Sequence, residues 1–341
     1  MIPEPPDRAR ATEIRLDMLR EEARRTGRVP DTGGQIVGGP IPRTPGATAG
    51  YYGLPVVKPP VWTWQVGLYL FVGGAAGMAG VIALAAFLTG HPIALVHAAL
   101  GLAALGSVIA PALLIADLGR PKRFLYMLRV FKWRSPMSMG VWILMFFSSC
   151  AVPAFLLVEG AGLLTRYGVP AGLLRGVWFL FLLGAALFGL LLATYTGVLL
   201  GATAIPAWFA HHRLLPFHFG IVGLGSAAAL LELLGWHLGP LNAIGLTVSG
   251  VETGIGAWIE ISRKGATARA LHQGAAGVLM RCAGVATGPV ALIARILGWV
   301  PLAAIAFLAG AILSRYGWLA AGRFSARDPE ETFAAQQSSP E

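Results

Sequence analysis

Two polar residues interrupt the first long apolar run of the chain, close to its beginning at Trp62. Gln65 and Tyr69 are four residues apart, so a helix places them on one face. At that position they lie within the outer third of a membrane span. A buried amide and a buried phenol at that depth need hydrogen-bond partners, and a quinone headgroup can supply them.

A carboxylate ends the second apolar run and begins a basic loop, DLGRPKRFLYMLRVFKWRSPMSMG. Arginines such as Arg120 and Arg123 can hold the Asp117 carboxylate ionised at the membrane edge. There it can exchange protons with a bound quinol, which makes these three residues candidates for the same site. The six basic residues of the loop are also consistent with simple binding of lipid headgroups.

A second group of charged residues lies inside apolar runs nearer the C-terminus. Counted from the nearest ends of their runs, Glu252, Arg281 and Arg315 lie ~9–14 Å deep at ~1.5 Å per residue. Charges at such depth usually pair with one another or line a wet path. We therefore predict either a structural ion cluster or a proton route, with Glu232 near the opposite face as its mouth or as a solvated helix end.

The cysteines and histidines argue against a metal centre on this chain. Cys150 and Cys282 are far apart, whereas an iron–sulfur cluster or a structural zinc usually takes four protein ligands. Haem would need histidine pairs at matching depth in facing helices. Only His97 lies clearly within an apolar run and His218 at the start of another, and neither has a partner at its depth. We expect no haem, no iron–sulfur cluster and no other metal site.

The composition identifies the environment that must hold these residues. Of 341 residues, 56% are hydrophobic and 12% are charged, about half the usual charged share, and the mean hydropathy is +0.68. The net charge of +10 does not indicate nucleic-acid binding, because the basic residues stand in short blocks between apolar runs. That pattern is typical of loops that face anionic lipid headgroups. The sequence predicts an all-α integral membrane protein.

Eight apolar runs are long enough to cross the hydrocarbon core as helices, which takes ~20 residues. They are Trp62–Leu88, Ile93–Ala116, Met137–Val158, Leu173–Thr203, Phe217–Gly235, Leu241–Ile261, Gly274–Leu297 and Val300–Ala321. The seventh is the weakest, because Arg281 interrupts it and Arg295 lies near its end. A hairpin of re-entrant segments is the alternative there.

An even number of crossings places both termini on one face of the membrane. The short loops and tail on that face carry twelve basic residues, against two or three on the other face. The positive-inside rule then predicts cytoplasmic termini in the inner, cytoplasmic membrane. Residues 1–61 mix charges of both signs with a Gly- and Pro-rich stretch and are predicted to be an extension and linker, and residues 323–341 a C-terminal tail.

Four segments of the chain resemble the NrfD/polysulfide-reductase membrane-subunit family. They are YYGLPVVKPPVWTW, DLGRPKRF, RVFKWRSPMSMG and RYGWLAAGRFSARDP. The resemblance covers residues 51 to about 329, and the loop after the second run is its most specific part. Residues 1–50 lie outside it.

The resemblance implies an eight-helix anchor without haem, arranged as two four-helix bundles, here residues 62–216 and 217–322. Such an anchor exchanges electrons between the quinone pool, menaquinone or ubiquinone, and an iron–sulfur subunit. In many members that subunit is wired to a molybdopterin catalytic subunit, so the primary substrate reacts on another polypeptide. Family members hold the quinone between the start of the first helix and the fourth helix, which points to Gln65, Tyr69 and Tyr195. Some relatives carry Asn or His on the first helix, where this sequence has Val66 and Tyr69.

Two other functions remain open at this point. The first is a proton-translocating or structural subunit of a respiratory complex that has no quinone site of its own. The second is a secondary transporter, which should show inverted repeats with broken helices, and the sequence shows no such repeat.

Overall fold

The computed structural model describes residues 57–58, 60, 62–118, 124–262, 268–328 and 332. Within these ranges the regular structure is helical and contains no β-strand. The predicted N-terminal extension, the greater part of the predicted tail and the candidates Arg120 and Arg123 lie outside the described residues.

Eight long helices follow one another along the chain. They are α1 (Trp64–Leu88), α2 (Ile93–Asp117), α3 (Pro136–Arg166), α4 (Ala171–Gly201), α5 (Leu214–Leu233), α6 (Gly239–Ile261), α7 (Gly274–Ile296) and α8 (Val300–Arg327). Short helices at Phe124–Met127, Pro206–Ala210 and Ala268–His272 lie in the loops after α2, α4 and α6. Each apolar run of the sequence became a helix, and α3 and α8 continue for one to two turns beyond their predicted ends.

Seven of these helices are long and apolar enough to cross a membrane, so the chain is a multi-pass membrane protein. The helix outside this set is α6, which is 23 residues long and carries two glutamates, Glu252 and Glu260. The weakly predicted α7 runs as one 23-residue stretch. It therefore does not form the pair of re-entrant segments that the sequence left open.

A break divides α7 near its middle. Residues Ala286–Val290 form a π-helical turn that contains Pro289, and Gly288 has non-helical backbone angles of φ −91° and ψ −106°. Proline lacks the N–H of the helical hydrogen bond, so a break is expected there. Gly288 also packs directly on α6, because a Cβ atom at this position would lie 2.8 Å from Thr253 Oγ1.

Four turns of one kind join the long helices into antiparallel pairs. Each contains a glycine in the left-handed conformation, at Gly90, Gly168, Gly235 and Gly298, with φ between 72° and 97°. The next residue donates its N–H to a carbonyl five residues back, as in His91 to Ala86 at 2.9 Å and Trp299 to Ala294 at 2.8 Å. Such bonds satisfy the last carbonyls of a helix. These turns therefore end α1, α3, α5 and α7 and reverse the chain.

The packing neighbours divide the helices into a first half, α1–α4, and a second half, α5–α8. In the first half α1 and α3 each pack on both α2 and α4. In the second half α5 and α7 each pack on both α6 and α8. The halves meet where α5 contacts α1 and α4 and where α8 contacts α1.

Glycines set the spacing of the central helices. A Cβ atom on Gly77 of α1 would lie 2.3 Å from the Gly189 carbonyl oxygen of α4, and one on Gly223 of α5 would lie 2.8 Å from the Gly74 oxygen. The backbones are therefore in direct contact. Small residues permit such approach in a membrane, where helices associate through packing and not through a hydrophobic drive.

Candidate functional site

Thr63 connects two of the predicted site residues at the start of α1. Its backbone N–H donates to Asp117 Oδ1 at 3.1 Å, and its hydroxyl is in hydrogen-bond contact with Asp117 Oδ1 and Gln65 Oε1. The carboxylate thus lies at the N-terminus of α1, where unpaired N–H groups and the helix dipole favour an anion. We call Thr63, Gln65 and Asp117 the edge cluster. Sequence reasoning missed Thr63, although its place directly before an apolar helix is a typical signal for a capping residue.

The two predicted phenols are buried one to two turns further into the first half. Tyr69 is 3% exposed and Tyr195 7%, and the two rings lie within electrostatic range of each other. The Tyr195 hydroxyl donates to the Pro136 carbonyl. The Tyr69 hydroxyl makes no hydrogen bond to any residue that the structure describes. Of the two phenols, Tyr69 therefore keeps its donor for a ligand.

The segment RSPMSMG builds the seat for Tyr195. Ser135 caps α3 by accepting from the Ser138 N–H at 3.4 Å, and Pro136 occupies the first turn, where its missing N–H costs nothing. One turn later Gly140 lies against the phenol ring, since a Cβ atom there would overlap Tyr195. The most specific part of the family resemblance thus positions a candidate site residue.

Aromatic residues tie the start of α1 to the second half. Trp62 stacks on Trp208 with ring centroids 5.2 Å apart, and the Trp208 indole donates to the Trp318 carbonyl at 2.7 Å. The Tyr316 hydroxyl donates to the Trp64 carbonyl at 2.8 Å. The edge cluster is therefore held by α8 as well as by α2.

A buried hydrogen-bond network lies in the second half, centred on His218 of α5. Its Nδ1 is 3.0 Å from Glu252 Oε1 and its Nε2 is 3.1 Å from Ser314 Oγ. Thr287, at the π-helical turn, lies 3.3 Å from the other Glu252 oxygen. We call His218, Glu252, Thr287 and Ser314 the imidazole network.

Arg315 extends this network towards the centre of the molecule. Its guanidinium carbon lies 3.8 Å above the Phe219 ring, Nη2 donates to the Phe219 carbonyl at 3.2 Å, and the charge attracts Glu252. Nη2 also lies 3.9 Å from where a Cβ atom on Gly74 of α1 would stand. Nε and Nη1 are buried and have no partner in the described part of the chain. Glu252 and Arg315 thus attract each other electrostatically, but no hydrogen bond and no ion pair within 4.0 Å joins these two described residues.

Arg281, the third member of the predicted cluster, lies elsewhere. Its side chain is 54% exposed, its Nε is 3.6 Å from the Glu260 carboxylate, and it donates to the His272 carbonyl. The counted depth does not bring Arg281 to Glu252, because depth alone does not say which side of a helix a residue occupies. The Arg281 side chain points away from the imidazole network and contacts Glu260 near the end of α6.

Glu232 also differs from its predicted role as a solvated helix end or as the mouth of a proton route. Both of its oxygens accept from Arg295 at 2.7 Å, and the two side chains are 1% and 0% exposed. Arg295 donates as well to Asn242 at 3.1 Å. Gly245 makes room for it, because a Cβ atom there would overlap the guanidinium. Arg295 therefore belongs to a buried ion pair and not to the basic residues of the opposite face. We call this pair closed because both Glu232 oxygens are bonded to one arginine, of which Nε alone has no partner in the described part of the chain.

From the sequence, His218 is considered only as a possible haem ligand, without a partner histidine at its depth. Its depth, counted from the start of the fifth apolar run, is too shallow to match Glu252. The short helix Pro206–Ala210 precedes α5 and is itself buried, so the count begins too late. One signal was available in the sequence. His218 follows the Pro-Ala-Trp segment at 206–208, which is buried in the structure, so it lies deeper than a count from Phe217 suggests.

A cavity of about 400 Å³ adjoins the imidazole network, between α6 and α7. His218, Glu252, Thr287 and Ser314 line its inner end, and Glu260 and Arg281 line its outer end. Apolar side chains form the walls between these ends. The second half therefore contains a volume in the ~300–1,000 Å³ range typical of ligand pockets.

Comparison with protein families agrees with the resemblance seen in the sequence. A family model described as polysulphide reductase NrfD matches residues 56–239, more than half of the chain. The matched segment contains the edge cluster, both phenols and His218, and it ends before Glu252. A search of curated proteins finds no match.

Proposed function

Because the chain belongs to the polysulphide reductase NrfD family, we propose that it is the membrane subunit of a redox complex that exchanges electrons with the quinone pool. The electrons pass between a quinone and a docked iron–sulfur subunit, which is wired to a molybdopterin catalytic subunit. Chemistry on the primary substrate takes place on that catalytic subunit and not on this chain.

The proposal includes eight crossings, arranged as two four-helix bundles with cytoplasmic termini. The length of α6 supports its assignment as a crossing, since 23 residues span ~35 Å and the hydrocarbon core is ~30 Å thick. The turn before α6 contains the same left-handed glycine as the other three turns. The packing neighbours within each half support the two bundles.

The quinone site of the proposal lies in the first half, between the edge cluster and the phenols. The observation that carries it is the Tyr69 hydroxyl, which makes no hydrogen bond to a described residue. It belongs to a residue that is 3% exposed and lies on the same helix face as Gln65. A quinone bound there exchanges two electrons and two protons. The Tyr69 hydroxyl and the Gln65 amide donate to carbonyl oxygens, and Asp117 at the membrane edge receives or supplies protons. Arg120 and Arg123, three and six residues further along the sequence, remain the proposed cations of the site.

Two substitutions test this site in the complete complex. Tyr69→Phe removes one donor and keeps the ring, and Asp117→Asn keeps an oxygen for the Thr63 N–H but removes the proton acceptor. Loss of a buried hydrogen bond costs on the order of 1–3 kcal/mol. We expect quinone-linked turnover to fall about tenfold or more in both variants, since ~1.4 kcal/mol is a factor of ten.

The matched control is Tyr167→Phe, in the exposed turn between α3 and α4. It should leave quinone-linked turnover unchanged. Electron transfer from the primary substrate to a soluble artificial acceptor bypasses the membrane and should stay normal in all three variants. Wild-type quinone-linked turnover in Tyr69→Phe and Asp117→Asn would exclude the first-half site.

The imidazole network favours a second candidate, a proton-translocating or structural subunit without a quinone site. Its buried histidine, carboxylate and hydroxyls are groups that relay protons in membrane proteins. This candidate predicts that a quinol analogue does not bind the chain and does not inhibit the complex. Saturable binding of such an analogue, lost in Tyr69→Phe, would reject it.

A further inference from the structure

The cavity beside the imidazole network is polar at both ends and apolar between them. At the inner end the four side chains of the network are each at most 3% exposed. At the outer end the side chains of Glu260 and Arg281 are 40% and 54% exposed. Glu252 and Glu260 are eight residues apart on α6, so the cavity extends over ~12 Å.

The walls of this cavity favour an apolar body over a file of water. The lining between the ends includes the apolar side chains of Ile255, Ile259, Leu271 and Met280. An ordered water needs two to four polar partners, and these side chains offer none. The space between the polar ends therefore suits a ring or chain of carbon atoms.

The inner end distinguishes between two kinds of amphipathic occupant. A phospholipid that kept its headgroup at the exposed end would bring its acyl tail against His218 and Glu252. An acyl chain offers no hydrogen bond, so the free polar atoms at the inner end would be buried without a partner, which costs free energy. An occupant that enters with its polar headgroup first leaves an apolar tail along the walls. The second kind matches both ends of the cavity.

Hydrogen-bond roles at the inner end select the headgroup. The Glu252 carboxylate accepts, so the His218 Nδ1 donates to it, and the Ser314 hydroxyl is hydrogen-bonded to His218 Nε2. The Thr287 hydroxyl donates to Glu252 or to its own helix. Free lone pairs thus remain on the carboxylate and on Ser314 Oγ, and such a site binds a ligand that donates.

We propose that this cavity binds the hydroxylated headgroup of a quinol, with one ring hydroxyl donating to Ser314 Oγ beside the Glu252 carboxylate, as a second site separate from the one in the first half. The proposal rests on the proposed function in so far as both take a quinone-class ligand. The part of the chain that forms the site, apart from His218, lies beyond the segment that matches the family model.

Binding stoichiometry in the purified complete complex tests the proposal. The probe is an alkyl hydroxyquinoline N-oxide, a fluorescent quinol analogue with one hydroxyl group and an apolar tail. Its fluorescence is titrated against the complex in detergent. We expect two saturable sites for each copy of this chain, of which Tyr69→Phe weakens one and leaves the other unchanged.

A pair of glycine variants on α6 identifies the second site. Gly256 lines the cavity opposite Gly284 of α7, and a Cβ atom on it would make only ordinary contact, at 3.9 Å, so Gly256→Leu places its side chain in the cavity. Gly254 is on the same helix with no atom within 4 Å of its Cβ position, so Gly254→Leu is the matched control. We expect Gly256→Leu to lose one site and Gly254→Leu to retain both.

Ser314→Ala provides a second variant in case Gly256→Leu does not assemble. Removal of the hydroxyl should weaken the second site about three- to tenfold, the range expected for one hydrogen bond. Two sites that both persist in Gly256→Leu, or that keep wild-type affinity in Ser314→Ala, would overturn the proposal. A single site that is weakened by Tyr69→Phe alone would also overturn it and leave the first-half site intact. A single site lost in Gly256→Leu alone would support this cavity and reject the first-half site.

Discussion

The two halves of the molecule differ in the kind of polar side chain that they bury. In the first half the buried polar groups of the described residues are uncharged and include the hydroxyls of Ser107, Tyr69, Tyr195 and Thr196, while the carboxylate of Asp117 stays at the edge. In the second half four charged residues are at most 3% exposed, and these are Glu232, Glu252, Arg295 and Arg315. Close glycine contacts with backbone occur in both halves, as at Gly77 and Gly310, whereas the buried ion pairs of the described residues lie in the second half.

The second half also contrasts two buried carboxylates with each other. Glu232 has both oxygens bonded to one arginine, so that pair is closed. Glu252 has one oxygen bonded to the His218 imidazole and the other to the Thr287 hydroxyl, and it adjoins a cavity. The nearby Arg315 has two nitrogens without a partner in the described part of the chain. The closed pair of Glu232 therefore has a structural role, whereas Glu252, which is incompletely bonded and adjoins a cavity, can bind a ligand or a proton.

The largest effect is expected where a closed pair is opened. Glu232→Gln leaves the Arg295 charge without compensation in a dry interior, at a cost of about 3–5 kcal/mol. The measurement is thermal unfolding of the purified complex together with its yield. Glu159→Gln, on a side chain that is 64% exposed, is the control and should change little.

A double substitution sharpens that test. Glu232→Leu combined with Arg295→Met removes both charges, and buried pairs replaced by apolar residues are often as stable as before. The double variant should therefore recover most of the stability that Glu232→Gln loses. If it is no more stable than Glu232→Gln, an uncompensated charge is not the cause of the loss.

Glu252→Gln should cost less than Glu232→Gln, about 1–3 kcal/mol. A glutamine at this position still accepts from His218, and Arg315 keeps its bond to the Phe219 carbonyl and its contact with the Phe219 ring. Unfolding of both variants in the same detergent compares them. A larger loss for Glu252→Gln would reverse the contrast between the two carboxylates.

The first half should instead be sensitive to a single methyl group. Gly77→Ala places a Cβ atom 2.3 Å from the Gly189 carbonyl oxygen, so α1 and α4 must separate, at a cost of about 1–3 kcal/mol. Gly160→Ala, in α3 with no atom within 4 Å of its Cβ position, should be neutral or stabilise by up to about 1 kcal/mol through helix propensity. Equal unfolding temperatures for the two variants would show that backbone contact does not hold this half together.

The smallest effect concerns pH and His211, in the loop where the halves meet. Burial lowers the pKa of His211 below its usual value of about 6.5, an effect partly opposed by its bond to the Ala207 carbonyl. The unfolded chain therefore binds the proton more readily, so this contribution to stability is present above about pH 6.5 and is lost as the pH falls.

Unfolding midpoints at about pH 7.5 and about pH 5.5 test this dependence. The difference between the two midpoints should shrink in His211→Gln, because glutamine does not titrate. His237→Gln, on an exposed turn of the second half, should retain the wild-type difference. An unchanged difference in His211→Gln would assign the acid sensitivity to another group.

The sequence by itself determined the class of protein, the order of the helices and nearly all of their bounds. These follow from apolar length and turn chemistry, which are local properties: each left-handed glycine and the proline after it mark a helix end without reference to the rest of the chain. The family resemblance is equally local and pointed to Gln65, Tyr69 and Tyr195, and Asp117 was a candidate from its place beside arginines at the end of an apolar run.

Only the tertiary structure decided which buried charges meet. Arg295 pairs with Glu232 across 63 residues and His218 with Glu252 across 34, while Arg281, at a similar counted depth, turns outward to Glu260. A count along a helix gives the depth of a residue but not the rotation of that helix or the neighbour it faces. Those are set by packing, here by glycines such as Gly245, which leaves the space that the Arg295 guanidinium fills.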